Sequence, residues 1–136
     1  MTLISILPAI GASLTFANIP DTYDDLVLNV AGVSHDAAVS AQLRIELSPD
    51  GTTFGAPVAV TPGYAASIAQ YGAVTLAGYN GDCGAAAGSI NNVPGDPGVK
   101  QYSSNFAWRC TGGISAIRLS WSVGEFDAGM VSLSGV

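Results

Sequence analysis

The chain has 136 residues, which suits one domain, and its 49% hydrophobic against 10% charged content is that of a chain with a core to bury, not of a disordered one. Four scattered basic residues, Arg44, Lys100, Arg109 and Arg118, in a chain of net charge −6 cannot form the clustered patch that phosphate binding requires, which excludes nucleic acid as a partner. No stretch approaches the ~20 apolar residues of a spanning helix, and the opening MTLISILPAIGASL has no basic flank and is broken by Pro8, so neither a membrane partner nor a signal peptide is expected and synthesis falls in a reducing cytoplasm.

Residues 1–13 read as an extended N-terminal arm, with 14–136 as a single β-sandwich domain. Leu3, Ile4, Ile6, Leu7 and Ile10 are too apolar to stand in water. They either add an edge strand or pack on a neighbouring subunit, and both readings gain ~25 cal/mol per Å² of apolar area buried. Leu14–Phe16 opens the first strand of the domain, and Asn18-Ile19-Pro20 ends it, since Pro20 cannot donate to a ladder and holds Ile19 extended. Asp25–Val33 alternates, with Leu26, Leu28 and Val30 on one face; Val27 on the other face predicts that this strand is covered on both sides.

Ser34-His35-Asp36 reads as a connecting loop. Val39–Ser48 holds period two throughout, with Val39, Ala41, Leu43, Ile45 and Leu47 pointing one way, and Pro49-Asp50-Gly51 turns it into short strands over Thr52–Phe54 and Pro57–Thr61. Thr61–Gln70 has room for a helical turn or two, and Ala73–Leu76 for a strand. Gly78–Lys100 reads as a long Gly-rich loop with Pro94 and Pro97, and structureless segments of that length are usually functional or interfacial. Tyr102–Cys110 resumes alternation. After Thr111-Gly112-Gly113, Ile117, Leu119, Trp121 and Val123 face inward, and Phe126–Leu133 closes the chain. About eight short strands with turns between them predict an all-β antiparallel sandwich of jelly-roll type.

Chemistry is sparse. His35 is the only histidine and sits in the predicted loop, where an adjacent Asp36 is ordinarily just solvated. There is no nucleophile elbow, and paired-acid hydrolysis has no partner carboxylate for Glu46 or Glu125. Asp21, Asp24 and Asp25 cluster at the Pro20 corner without a calcium-loop pattern, so they read as turn formers. Cys83 and Cys110 lack metal-ligand spacing; they read as free thiols, with Cys110 inert beside core aromatics. No catalytic residue, metal or cofactor is expected. Tyr64, Tyr71, Tyr79 and Tyr102 flank the predicted loop and could line a carbohydrate or protein contact. So little charge also predicts that part of the surface is covered in a homo-oligomer or larger assembly.

Two stretches carry a resemblance. Phe16, Asn18, Ile19, Pro20, Thr22 and Tyr23, followed by Leu26, form an aromatic strand, a corner and a strand. Ile114, Ile117 and Leu119, then Phe126, Ala128 and Gly129, then Leu133 and Gly135, form the close. This pattern resembles small jelly-roll or β-sandwich structural proteins, of decoration or fibre type, from tailed bacteriophages. Asp25 stands where that family often has His, and Ser134 where it has Tyr. The resemblance covers both ends of the chain and leaves the middle unmatched.

It implies a β-sandwich on a virion, often a homotrimer, made in the host cytoplasm. Within that setting the chain fits a capsid decoration or cement protein on the head surface. Such a protein bridges capsomers through copies of itself and the major capsid protein. The predicted contacts are Leu3, Ile4, Ile6, Leu7 and Ile10 of the arm, and Tyr79, Asn91, Asn92 and Tyr102 in or beside the loop. The alternative is a receptor- or carbohydrate-binding module of a tail or head fibre, with a host-surface glycan as ligand.

Overall fold

Strands with one wet and one dry face dominate the chain, and the dry faces meet. The computed structural model describes residues 1–92 and 103–136. Its strands are β1 (Thr2–Pro8), β2 (Ser13–Phe16), β3 (Asp25–His35), β4 (Leu43–Ser48), β5 (Val58–Ala59), β6 (Gln70–Ala77), β7 (Cys83–Asn92), β8 (Ser103–Arg109), β9 (Ala116–Trp121) and β10 (Phe126–Gly135). They form a six-stranded sheet in the order β1-β10-β3-β6-β7-β8 and a four-stranded sheet in the order β2-β9-β4-β5. Every pairing is antiparallel. The fold is the predicted all-β sandwich, with ten strands where about eight were expected. The chain crosses between sheets at both ends of the sequence, while β6, β7 and β8 follow one another as a meander.

Leu26, Leu28 and Val30 of β3 and Val131 and Leu133 of β10 face Leu43, Ile45, Ile117 and Leu119 of the other sheet, all at 2% exposure or less. Each such side chain contributes roughly 1.5–3 kcal/mol on burial. The two stretches that carry the resemblance are direct neighbours. Leu14 pairs with Leu119 and Phe16 with Ile117 in one sheet, while Leu26 pairs with Gly135 and Leu28 with Leu133 in the other. Gly135 has no Cβ because the ring of Tyr23 occupies that space: a Cβ there would lie 2.2 Å from Cγ of Tyr23.

Several expectations are corrected. Of the two readings for residues 1–13, the edge strand is observed: Thr2–Pro8 pairs with β10 from Gly135 to Met130, so it belongs to the sandwich instead of standing apart as an arm. The predicted loop Gly78–Lys100 contains the ten-residue strand β7; residues 93–100 lie outside the described residues. Strand Val39–Ser48 begins only at Leu43, and Val39 and Val123 are exposed, not inward. Thr52–Phe54 forms no strand and Thr61–Gln70 no helix. His35 ends β3, fully buried, instead of lying in a loop.

Small residues explain β7. Its inward positions Gly84, Ala86 and Gly88 let neighbours approach closely: Gly84 lies directly opposite Trp108 of β8, and the β6 backbone at Ala73 and Val74 fills the space beside Gly88. A Cβ on Gly84 would lie 2.6 Å from the indole, so the ring lies on the bare backbone. Turn chemistry is as the residues demand: Gly51 has φ +81°, and Asp50 accepts N–H bonds from Thr52 and Thr53 at 2.9 and 2.8 Å.

Candidate interaction surface

Cross-strand register lines up the outward side chains of the six-stranded sheet. One row runs Ile6, Ser132, Asn29, Ala73, Ser89, Ser103; the next runs Leu3, Ser134, Val27, Thr75, Ala87, Asn105. A third holds Pro8, Met130, Ala31, Tyr71 and Asn91. None of these three rows contains a charged side chain. Asp25 and Arg109 lie at one end of the face and Asp127 at the other, where it accepts a hydrogen bond from the Ser34 hydroxyl. Alanine, serine, asparagine and threonine fill the middle. Apolar side chains collect along the β1 margin, with Leu3 59% and Ile6 51% exposed and Met130 beside them.

The predicted contact residues separate on this frame. Leu3 and Ile6 belong to the face, and Ile10 is exposed in the connection to β2. Ile4 and Leu7 instead pack against the core. Asn91 lies on the face, half-buried, opposite Tyr71; Asn92 pairs with Gln70 at the end of β7. Tyr102 lies outside the described residues.

Tyr79 is corrected outright: it is fully buried and makes no surface contact. Its hydroxyl donates to the Pro20 carbonyl and accepts from the Tyr23 N–H at 3.3 Å, pinning the β6–β7 turn to the corner before β3. Asn80 adds two bonds there, to the carbonyls of Asp21 and Tyr23. Met130 is a member of the face that the sequence did not mark, whereas Tyr71, one of the tyrosines expected beside the loop, lies exposed on it; Val27, outward on β3, was a further legible signal.

Groups that carry chemistry elsewhere are tied into the fold. The His35 ring bonds the Tyr64 carbonyl through Nε2 at 2.7 Å and accepts from the Ala37 N–H through Nδ1 at 3.1 Å. Those partners place the proton on Nε2, and the ring is tilted 55° against Trp121 with centroids 4.8 Å apart. Cys110 is buried and points Sγ at the Gly113 carbonyl, 3.1 Å away. Burial, and then the charge of Asp50, push its thiol up, as suits an inert sulfur. Cys83 is a free, exposed thiol.

Among the described residues no three His, Cys, Asp or Glu side chains gather as a metal site, and no helix is long and apolar enough to cross a membrane. A depression of about 380 Å³ lies between the Pro20 corner, Asn80 and Gly112–Ser115. A cleft of about 200 Å³ with a mixed lining opens between β8 and β5, beside Ile45, Leu47, Val58, Phe106, Trp108 and Arg109.

No family model matches this sequence, and no curated protein or solved structure matches it either. The surface itself therefore carries the functional argument.

Proposed function

We propose that the protein is a structural subunit of a bacteriophage virion, a capsid decoration or cement protein that bridges capsomers at the head surface. The observation that carries this reading is the broad uncharged face of the six-stranded sheet with its exposed apolar margin at Leu3, Ile6 and Met130. Exposed apolar side chains gathered on one margin support an interaction surface there. The pairing of the two resemblance-bearing stretches in both sheets is consistent with the same setting. A cement protein works by burial repeated over many copies, so each contact can be weak while the shell gains much.

The test is the copy number in purified virions: a number matching the capsomers supports decoration, and a handful per particle supports a tail component. Particles lacking the protein should lose DNA on heating or osmotic shock; particles that hold their DNA as well as the wild type overturn the cement role.

A glycan-binding reading is favoured only by the polar depression beside Asp21, Asn80 and Ser115. Its expected aromatic platform is weakened by Tyr79, which is locked inside. Binding of the isolated protein to a glycan array, lost on Asn80→Ala, would favour it.

A further inference from the structure

We infer that the outer face of the six-stranded sheet mates with the same face of a second copy, as a two-fold pair. The inference names the occupant of the face on which the proposed function rests.

Charge decides the partner. Each copy carries net −6, so two copies repel unless they meet where neither is charged. The three rows between Asp25 and Asp127 are such a place. A face without charge has nothing to recognise a charged partner, but Ser, Thr and Asn are each both donor and acceptor and so complement themselves.

Size agrees. Six strands at ~4.8 Å spacing and about 20 Å along the strands give ~600 Å² per copy, or ~1,200 Å² in a pair, the lower bound of specific interfaces. Small side chains at Asn29, Ala73 and Ser132 let the two sheets approach closely. Val27, outward yet half-buried between its neighbours, gains the second cover that its position in the alternation called for.

The apolar margin fixes the axis. A two-fold running across the strands along the Ile6–Asn29–Ala73 row places each β1 margin on its mate, so Ile6 meets Ile6 and Leu3 meets the partner's Pro8 side. An axis along the strands would instead set Leu3 and Ile6 over the polar Ser103 and Asn105 margin. Such a face closes on itself. It differs from the three-fold assembly implied by the resemblance, since a ring needs two different patches on each copy.

The test is sedimentation of the isolated full chain across concentration and salt, with two charge variants. Wild type should form a dimer that tightens as salt screens the residual repulsion. Asn29→Lys, at an exposed position on the axis, should weaken pairing about a hundredfold or more by opposing like charges. Ser120→Lys, on the four-stranded face, should leave it unchanged. In a Cys83→Ser background, Asn29→Cys treated with a short bismaleimide, whose two maleimides each add one thiol and together span the ~10 Å between face-packed sheets, should give a cross-linked dimer, which reads the axis independently of affinity. A wild type that stays monomeric at all concentrations overturns the inference. So does a trimer, a dimer unaffected by Asn29→Lys, equal loss in both lysine variants, or no cross-link. Copy number on the virion is measured separately, so failure here leaves the decoration reading standing or falling on its own data.

Discussion

On the four-stranded sheet Arg118 donates to Glu46 at 2.7 Å, its guanidinium lies 4.0 Å from the centre of the Phe54 ring, and Arg44 stands one row away. On the six-stranded sheet the central row holds Ser132, Asn29, Ala73 and Ser89. Both faces cover the same core and follow the same pleat. The difference lies only in what projects outward, and it teaches that the scarce charge of this chain is placed, not diluted. Of the three arginines, two dress the smaller sheet and Arg109 marks a corner of the larger. The four-stranded face is made to stay wet. The larger face has no device of that kind.

The largest effect should come from the shared core beneath. Leu28→Ala, under the uncharged face, and Leu119→Ala, under the charged one, should each cost about 2–5 kcal/mol in denaturant unfolding. Similar losses would show one cooperative sandwich; a large disparity would mean that the sheets unfold apart. Next, Gly135→Val drives a side chain into the Tyr23 ring and should cost about 1–3 kcal/mol. Tyr23→Ala in the same chain should make the two changes less than additive, and full additivity would refute the contact.

Tyr79→Phe removes the bond to the Pro20 carbonyl and should lower stability by about 1 kcal/mol, with faster amide exchange at Tyr23. Unaltered exchange there would show that the hydroxyl does not hold the corner. Arg118→Ala should cost less than about 1 kcal/mol, and less again in high salt, because the pair is partly exposed.

The smallest effect is one of pH. Donation from the Thr53 and Thr52 N–H groups and the Ser48 hydroxyl holds the Asp50 carboxyl well below the usual carboxylate range. Its folded pKa is thus lower than its unfolded one. The stabilisation is present above about pH 4 and is lost as pH falls toward the folded value. Thermal melts across that acid range should show a shallower decline for Asp50→Ala than for the wild type; parallel declines would rule the turn out.

What the sequence revealed follows from how each segment earns its conformation. β3, β4, β8, β9 and β10 bury one face, so period two announced them. β7 reads Cys-Gly-Ala-Ala-Ala-Gly-Ser-Ile-Asn-Asn, and a single branched side chain, Ile90, is too little to signal a strand. Its conformation comes from β6 and β8 on either side and from Trp108 resting on Gly84. His35 looked like a loop residue because it is flanked by Ser34 and Asp36. Only the Tyr64 carbonyl and the Ala37 N–H, both distant or hidden in sequence terms, let the ring go inside. Tyr79 was misjudged for the same reason, its polar tip finding a partner in the carbonyl of Pro20. The face itself was half-legible: Leu3, Ile6 and Val27 stood out, but the absence of charge is a property of three rows gathered from six strands.

The pairing of Thr2 with Gly135 also has a mechanical meaning. Residues near the two ends lie side by side on an edge, so tension applied across them loads β1 and β10 in the peeling direction, one hydrogen bond at a time. β1 would come away at low force while β10 stays clasped by β3. Tension applied through the face of the sheet instead would load all six strands together. A subunit held by its face resists a strain that a subunit held by its ends would not.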